Sequence, residues 1–338
     1  MTTDKPDRNA AQPSEAPESA ASASFSDPSA PDLSVNIAGV PFKNPVMPAS
    51  GCFGSGMEYS EYVDLNRLGA VVTKGVSVTP WEGNPTPRTA ETWGGMLNAI
   101  GLQNPGIDTF IKRDLEFLKS FDTNVIVNVC GHTEEEYLEA VERLSDQARV
   151  DMLEINVSCP NVKEGAIAFG RDPKVLEALT RQIKAHSRKP VIIKLTPNVS
   201  DITETAKAAE QGGADAVSLI NTLLGMKIDI EKRTFALANK TGGLSGPAIH
   251  PVAVRMVYEV SNSVSLPVIG MGGIGSYEDA VELLLAGADA VAVGCSTIND
   301  PHTLISVIDG IAGYMKRKGM KRLKDIQLMR PAQQTAAD

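Results

Sequence analysis

The chain reads as an α/β protein, a (β/α)8 TIM barrel with long insertions after strands two and six. Three observations predict this. Eight short apolar runs recur from residue 45 on, most of them apolar at consecutive positions, as strands covered on both faces are. Eight stretches of helical periodicity alternate with them. Two units share a phrase, Gln211-Gly-Gly-Ala-Asp-Ala-Val217 and Ala286-Gly-Ala-Asp-Ala-Val291, which marks the same tight helix-to-strand turn. A doubly wound open sheet rarely needs eight parallel strands, so the barrel is the better reading.

Residues 1–31 are rich in Ala, Ser, Pro, Asp and Glu, with Phe25 the one aromatic, and are expected to be a disordered tail. They have neither the apolar core of a signal peptide nor the Arg-rich, acid-poor make-up of a transit peptide. Residues 32–45 are expected to form a hairpin closing the barrel bottom. Strands are then expected at Val46–Ser50, Ala70–Gly75, Val125–Gly131, Met152–Ser158, Val191–Pro197, Ala216–Thr222, Pro267–Gly273 and Ala290–Ser296. Helices are expected at Tyr59–Leu68, Asp108–Phe121, Thr133–Gln147, Asp172–His186, Val199–Gln211, Pro251–Ser261, Tyr277–Leu285 and Pro301–Lys318. Asp172-Pro173 and Asp300-Pro301 read as N-caps with proline at the first helical position. Gly212-Gly213 and Gly287 read as helix stops. Residues 76–107 and 223–248 are too long for simple connections and leave from C-terminal strand ends, where long loops are usually lids or binding loops. The barrel domain is expected to span 32–320, with 321–338 a partly disordered tail.

With 338 residues, 42% hydrophobic and 22% charged, the composition is that of a globular protein. A net charge of -9 argues against a nucleic-acid partner. No apolar run reaches the length of a membrane span. Cys52, Cys130, Cys159 and Cys295 are scattered without a CxxC pair, which suits a reducing cytoplasm and offers no zinc or iron–sulfur ligand set.

In a barrel, polar residues at C-terminal strand ends report on the site. Here they are Ser50, Lys74, Asn128, Asn156 with Cys159, Lys194, Asn221 with Thr222, Gly272-Gly273, and Gly294 with Cys295. Packing alone does not explain two lysines there, since lysine is almost never fully buried unpaired. In Glu154-Ile-Asn-Val-Ser-Cys-Pro-Asn161 an apolar strand ends in amides and a thiol whose free pKa of about 8.5 suits a general base or nucleophile. The alternative is a small buried hydrophobe. The glycine-rich ends of strands seven and eight, Gly270–Ser276 and Gly294–Thr297, suit a phosphate held by backbone N–H groups. A phosphate cradle, two lysines and several amides call for a cofactor with one phosphate and a flat polar ring. Pyridoxal phosphate would use one lysine as a Schiff base, whereas FMN would use a cation beside N1–C2=O, which Lys194 could supply. Position alone leaves both open.

Asn156-Val-Ser-Cys-Pro-Asn161, Lys194-Leu-Thr-Pro-Asn198, Asn98-Ala-Ile-Gly-Leu-Gln-Asn104, Gly243-Leu-Ser-Gly246 and Val268-Ile-Gly-Met-Gly-Gly273 resemble the class 1 dihydroorotate dehydrogenases over about residues 32–320. The cysteine marks class 1, and Asn-Ala-Ile-Gly-Leu-Gln-Asn resembles subclass 1B. The resemblance implies an FMN-containing barrel that oxidises (S)-dihydroorotate to orotate in pyrimidine (UMP) biosynthesis. By position, Cys159 would take a proton from C5 while hydride leaves C6 for flavin N5, and Lys74 would sit between flavin and substrate. Asn98, Asn156, Asn161, Asn221 and Thr222 would hold the substrate, with the backbone of Ala99, Ile100, Gly101 and Leu102 completing the pocket. Ser50, Lys74, Gly75, Asn128, Asn156 and Lys194 would line FMN, as would Ile220, Gly246, Gly272, Gly273, Gly294 and Cys295. Cys295 stands where the family often has threonine. The segment Asn156–Gly170 would close over substrate.

Subclass 1B further implies a catalytic homodimer, each protomer carrying a partner subunit with FAD and a [2Fe–2S] cluster that passes electrons to NAD+, a heterotetramer in all. The nearest rivals are a dihydropyrimidine dehydrogenase-like reduction of uracil or thymine and a fumarate-linked subclass 1A enzyme. A non-catalytic FMN-binding protein would be expected to lack Cys159 or Lys74. Of the other candidates, Cys52 reads as a packed loop residue and Cys130 as pocket wall. Trp81 and Trp93 read as lid packing, and His186 and His302 as surface helix residues. His132 and His250 lie near strand ends without a nameable partner.

Overall fold

The structure is a computed structural model and describes residues 30–157 and 169–328. The eight expected strands all form, and all pair in parallel in one sheet. In chain order they are Val46–Pro48, Ala70–Val72, Asn124–Val129, Met152–Asn156, Val191–Lys194, Ala216–Leu219, Val268–Met271 and Ala290–Val293. Strand one pairs with strand eight, and the order runs back through the chain to strand two. The seam between strands one and two is bridged by Gly69 N–H donating to Val46 O at 3.0 Å. The strands stop earlier than the sequence suggests because their last residues turn polar and leave the ladder for loops.

Alternation along each strand sends one set of side chains inward and the other outward. Met47, Val72, Ile126, Met152, Ile192, Ala216, Ile269 and Ala290 form the barrel interior. The outward set, Val71, Val125, Leu153, Val191, Val217 and Val291 among them, packs with helix residues such as Leu144, Leu179, Val257 and Ile311. The hairpin ahead of strand one forms as expected, Val35–Ile37 against Val40–Phe42. Its Ile37 and Phe42 are buried within the interior cluster and plug the end opposite the strands' C-termini.

Helices form at Glu134–Ser145, Pro173–His186, Ile202–Gln211, His250–Ser261, Tyr277–Leu285 and Thr303–Lys318. Asp172 caps its helix through the N–H groups of Lys174 and Val175, with Pro173 at the first position. Gly212 and Gly287 lie at helix ends as expected. Three expectations fail. Tyr59–Leu68 is two 3-10 turns, Tyr59–Glu61 and Leu65–Arg67, because the Asp64 side chain accepts from Asn66 N and starts a second turn. Asp108–Phe121 is interrupted by a π-helical segment, Phe110–Leu115, whose wide turn buries Phe110, Asp114 and Leu115 together. Asp114 there accepts from Ser55 Oγ at 2.6 Å. Asp300-Pro301 is a turn rather than a cap, with Thr303 N bonded to Asp300 O and a short helix, Ser296–Asn299, before it.

The two insertions meet. Thr89–Thr92 and Gly95–Asn98 from the first, with Leu223–Met226 and Thr241–Ser245 from the second, form one four-stranded antiparallel sheet. At the C-terminus the chain stays packed past residue 320. Leu323 and Ile326 are buried, and Leu323 N bonds to Asp32 O at 3.0 Å.

Candidate active site

Stepping two residues along a strand stays on the same face. From Ile126, Met152, Ile192 and Ala216 of the apolar interior, the next inward residues are Asn128, Glu154, Lys194 and Ser218, on four adjacent strands. The barrel core thus ends in a polar layer. Glu154 is its centre, 3% exposed. Its Oε2 accepts from Asn128 Nδ2 at 2.6 Å, and its Oε1 from Ser218 Oγ at 2.8 Å. Lys194 Nζ lies 3.8 Å from Glu154 Oε2 and donates to Ser50 Oγ at 3.2 Å.

Above this layer opens a cavity of about 560 Å³, within the range of small-molecule and cofactor sites. Strand ends contribute Ser50, Lys74, Gly75, Asn128, Asn156 and Lys194 to its wall. The later strands contribute Ile220, Asn221, Thr222, Gly272, Gly273, Gly294 and Cys295. The insertion sheet and its loops supply Asn98, Ala99, Ile100, Gly101, Leu102 and Gly246. Every expected site residue within the described chain lines this one cavity. Cys159 and Asn161 lie outside the described residues, as does most of the expected closing segment. Val157 and Gly170, on the two sides of those residues in sequence, both line the cavity.

The amides are held in place. Asn156 O accepts from Tyr137 OH at 2.7 Å, and its Oδ1 faces Asn221 Nδ2 at 3.4 Å. Asn221 Oδ1 accepts from Thr222 N at 2.8 Å. Asn198, which sequence reasoning quoted in a motif but gave no role, donates to Thr222 O at 3.0 Å and accepts from Leu224 N at 2.9 Å. It pins the segment between strand six and the insertion sheet. Glu154 was also missed; its signal is an acid inside the apolar run Met152–Ile155. Arg171, exposed beside Gly170, is a further cation on the cavity wall.

Burial lowers the pKa of Lys74, with the like charge of Lys194 adding to the effect and the Cys52 and Cys130 thiols opposing it. Cys52 lines the cavity and is pushed up to about 11, chiefly by burial. At neutral pH it is a thiol and a poor nucleophile, though it is half-buried on the cavity wall and not packed away as the sequence suggested. Cys130 is fully buried behind Gly75. Trp81 stacks on His132 with ring centroids 3.9 Å apart, whereas Trp93 is 100% exposed, which overturns its reading as lid packing. A tip between two short strands leaves that side chain nothing to pack on. His250 finds the partners the sequence could not name: Nδ1 lies 2.8 Å from Gly272 O and Nε2 3.2 Å from Glu282 Oε2.

The residues present fit a flavin mononucleotide. Asn128 Oδ1 is buried without a hydrogen-bond partner, an acceptor that a ligand's N–H could satisfy. At Gly273, φ is +72° and a Cβ would lie 2.6 Å from His250 Cβ, so this turn tolerates only glycine and leaves its backbone bare to a ligand. Ser50, Lys194 and the amides supply donors. Among the described residues no group of three or more His, Cys, Asp or Glu could hold a metal ion.

Residues 32–315 match the family model described as dihydroorotate dehydrogenase. The chain is 65% identical over 295 residues to the dihydroorotate dehydrogenase B (NAD(+)) catalytic subunit of Lachnoclostridium phytofermentans, covering 87% of this chain and 98% of that one. It is 60% identical to the subunit of the same name from Alkaliphilus metalliredigens, over 88% of this chain and 98% of that one. A crystal structure of DHODH from Eimeria tenella in complex with ferulenol matches at a TM-score of 0.74, with 89% of each chain covered. Its 23% identity makes it a likeness of fold.

Proposed function

The chain belongs to the dihydroorotate dehydrogenase family, and from that premise we propose that it is the catalytic subunit of an NAD+-linked enzyme that oxidises (S)-dihydroorotate to orotate in pyrimidine biosynthesis. What carries the reading is the convergence of polar strand ends, two lysines among them, on one cavity in a chain that matches the family along its barrel.

Bound FMN would supply the hydride acceptor, taking hydride from substrate C6. Cys159, two residues past the cavity-lining Val157, takes the C5 proton on its thiolate, so the C5–C6 double bond forms as both C–H bonds break. Asn98, Asn156, Asn161 and Asn221, with the Thr222 hydroxyl, hold the ring and carboxylate; one amide offers both donor and acceptor to a cyclic urea. Lys74 supplies positive charge between substrate and cofactor. Lys194 would supply positive charge to the flavin ring, and Ser50, Asn128, Gly246, Gly272, Gly273, Gly294 and Cys295, which line the same cavity, would complete the cradle. Electrons leave through a separate subunit carrying FAD and a [2Fe–2S] cluster, in a cytoplasmic heterotetramer built on a catalytic homodimer.

The test is anaerobic addition of dihydroorotate to the purified chain. A flavin band near roughly 450 nm should bleach, and NAD+ alone should fail to restore it. In Cys159→Ser the bleaching should slow by about 10²–10⁴-fold at neutral pH, with orotate binding nearly unchanged. A yellow protein indifferent to dihydroorotate, whose flavin dihydrouracil reduces or whose reduced flavin uracil reoxidises, would favour the dihydropyrimidine reading, and a colourless one would remove the flavin.

A further inference from the structure

Glu154 is buried, and neither the hydride nor the proton step uses it. It is the hub of the polar layer, touching Asn128 and Ser218 and lying 3.8 Å from the Lys194 ammonium. An ionised carboxylate only accepts hydrogen bonds. Asn128 must therefore turn its Nδ2 toward Glu154, and its Oδ1 is left on the Gly75 side of the amide, buried and unpaired. A lone buried acceptor is unfavourable unless a ligand donor meets it. The same carboxylate offsets part of the Lys194 charge, and with both side chains at most 6% exposed, solvent screens that effect little.

We infer that Glu154 is a positioning residue for the cofactor: it fixes Asn128 as an acceptor for the N3–H of an isoalloxazine ring and sets how much positive charge Lys194 presents to the reduced flavin. This rests on the FMN reading above. A glutamine there removes the negative charge and offers its own N–H to Asn128, whose amide is then free to turn over. Oxidised FMN should bind at least tenfold more weakly. The reduced anion, now facing an uncompensated Lys194, should gain about tenfold relative to the oxidised form, which raises the two-electron midpoint by about 30 mV.

The experiment measures FMN binding to apoprotein by flavin fluorescence, and the midpoint against reference dyes, for wild type and Glu154→Gln. Glu154→Asp, which keeps the charge, should return the midpoint toward wild type. An unchanged midpoint and unchanged affinity in folded Glu154→Gln overturn the inference. Wild-type apoprotein that takes up no FMN overturns the underlying reading instead. Should Glu154→Gln fail to fold, wild type alone decides. It should bind 3-methyl-FMN, which lacks the N3–H, at least tenfold more weakly than FMN, and equal affinities overturn the inference.

Discussion

At the scale of single residues, the site shows which chemistry a sequence exposes. Lysine and asparagine at the ends of apolar runs are conspicuous, because nothing in a hydrophobic strand calls for them; Lys74, Asn128, Asn156 and Lys194 were legible for that reason, and all line the cavity. Glu154 was not, because its meaning lies in Asn128, Lys194 and Ser218, brought to it by three other strands. Lys74 yields a prediction with a definite sign. Burial lowers its pKa, so it loses its charge at a lower pH than a free lysine would. A lysine is cationic below its pKa. Its attraction for the carboxylate of orotate should therefore be full below the lowered value and fall as pH rises through it. The stability of the ligand-free chain runs the other way, rising between that value and the ordinary lysine range as the buried charge disappears. Orotate dissociation constants from spectral titration across alkaline pH check this. The fall in affinity should be absent in Lys74→Ala, and a fall of the same size in that variant would assign the titration to another group.

At the scale of elements, what is local was legible and what is non-local was not. The cap at Asp172-Pro173 and the stop at Gly212 each depend on a few consecutive residues, and both appear where expected. The interruption after Asp300 depends on the chain turning through Pro301 into a new helix, and the π segment on an inward-facing Asp114 meeting Ser55, fifty-nine residues away. The largest non-local feature is the sheet built from both insertions. The sequence marks the two loops as long but cannot pair Gly243 with Asn98 or Leu244 with Leu97. That pairing brings Gly243 against Thr222, so close that a Cβ at 243 would lie 1.9 Å from Thr222 Oγ1 and 2.6 Å from its Cβ. Gly243→Ala must displace Thr222 or part the strands. A misplacement of about 1 Å at a reacting site can cost roughly 10²-fold, so kcat/KM for dihydroorotate should fall by about that factor. The thermal midpoint should move little, since the change lies in the insertion sheet and not in the barrel. A normal kcat/KM would show that Thr222 takes no part in holding substrate.

At the scale of the whole molecule, the barrel separates what keeps it folded from what it does. Its interior changes character along the axis: Ile37 and Phe42 plug one end, aliphatic residues fill the middle, and the layer of Asn128, Glu154, Lys194 and Ser218 opens into the cavity at the other. The alternation that buries Ile126 or Ile192 also directs Asn128 or Lys194 two residues later, so the same strand periodicity builds core and site. Large substitutions at the two ends should then have different consequences. Removing the ring of Phe42, 1% exposed, leaves a cavity among packed apolar side chains and should cost about 3–5 kcal/mol of stability. Its effect on the mouth should be small, because the rigid middle of the barrel lies between. Chemical denaturation of Phe42→Ala alongside its KM for dihydroorotate tests the separation. A large loss of stability with KM within about twofold of wild type is expected where sites are independent. A KM that rises in step with the loss of stability would mean that the plug and the polar layer are mechanically coupled through the barrel interior.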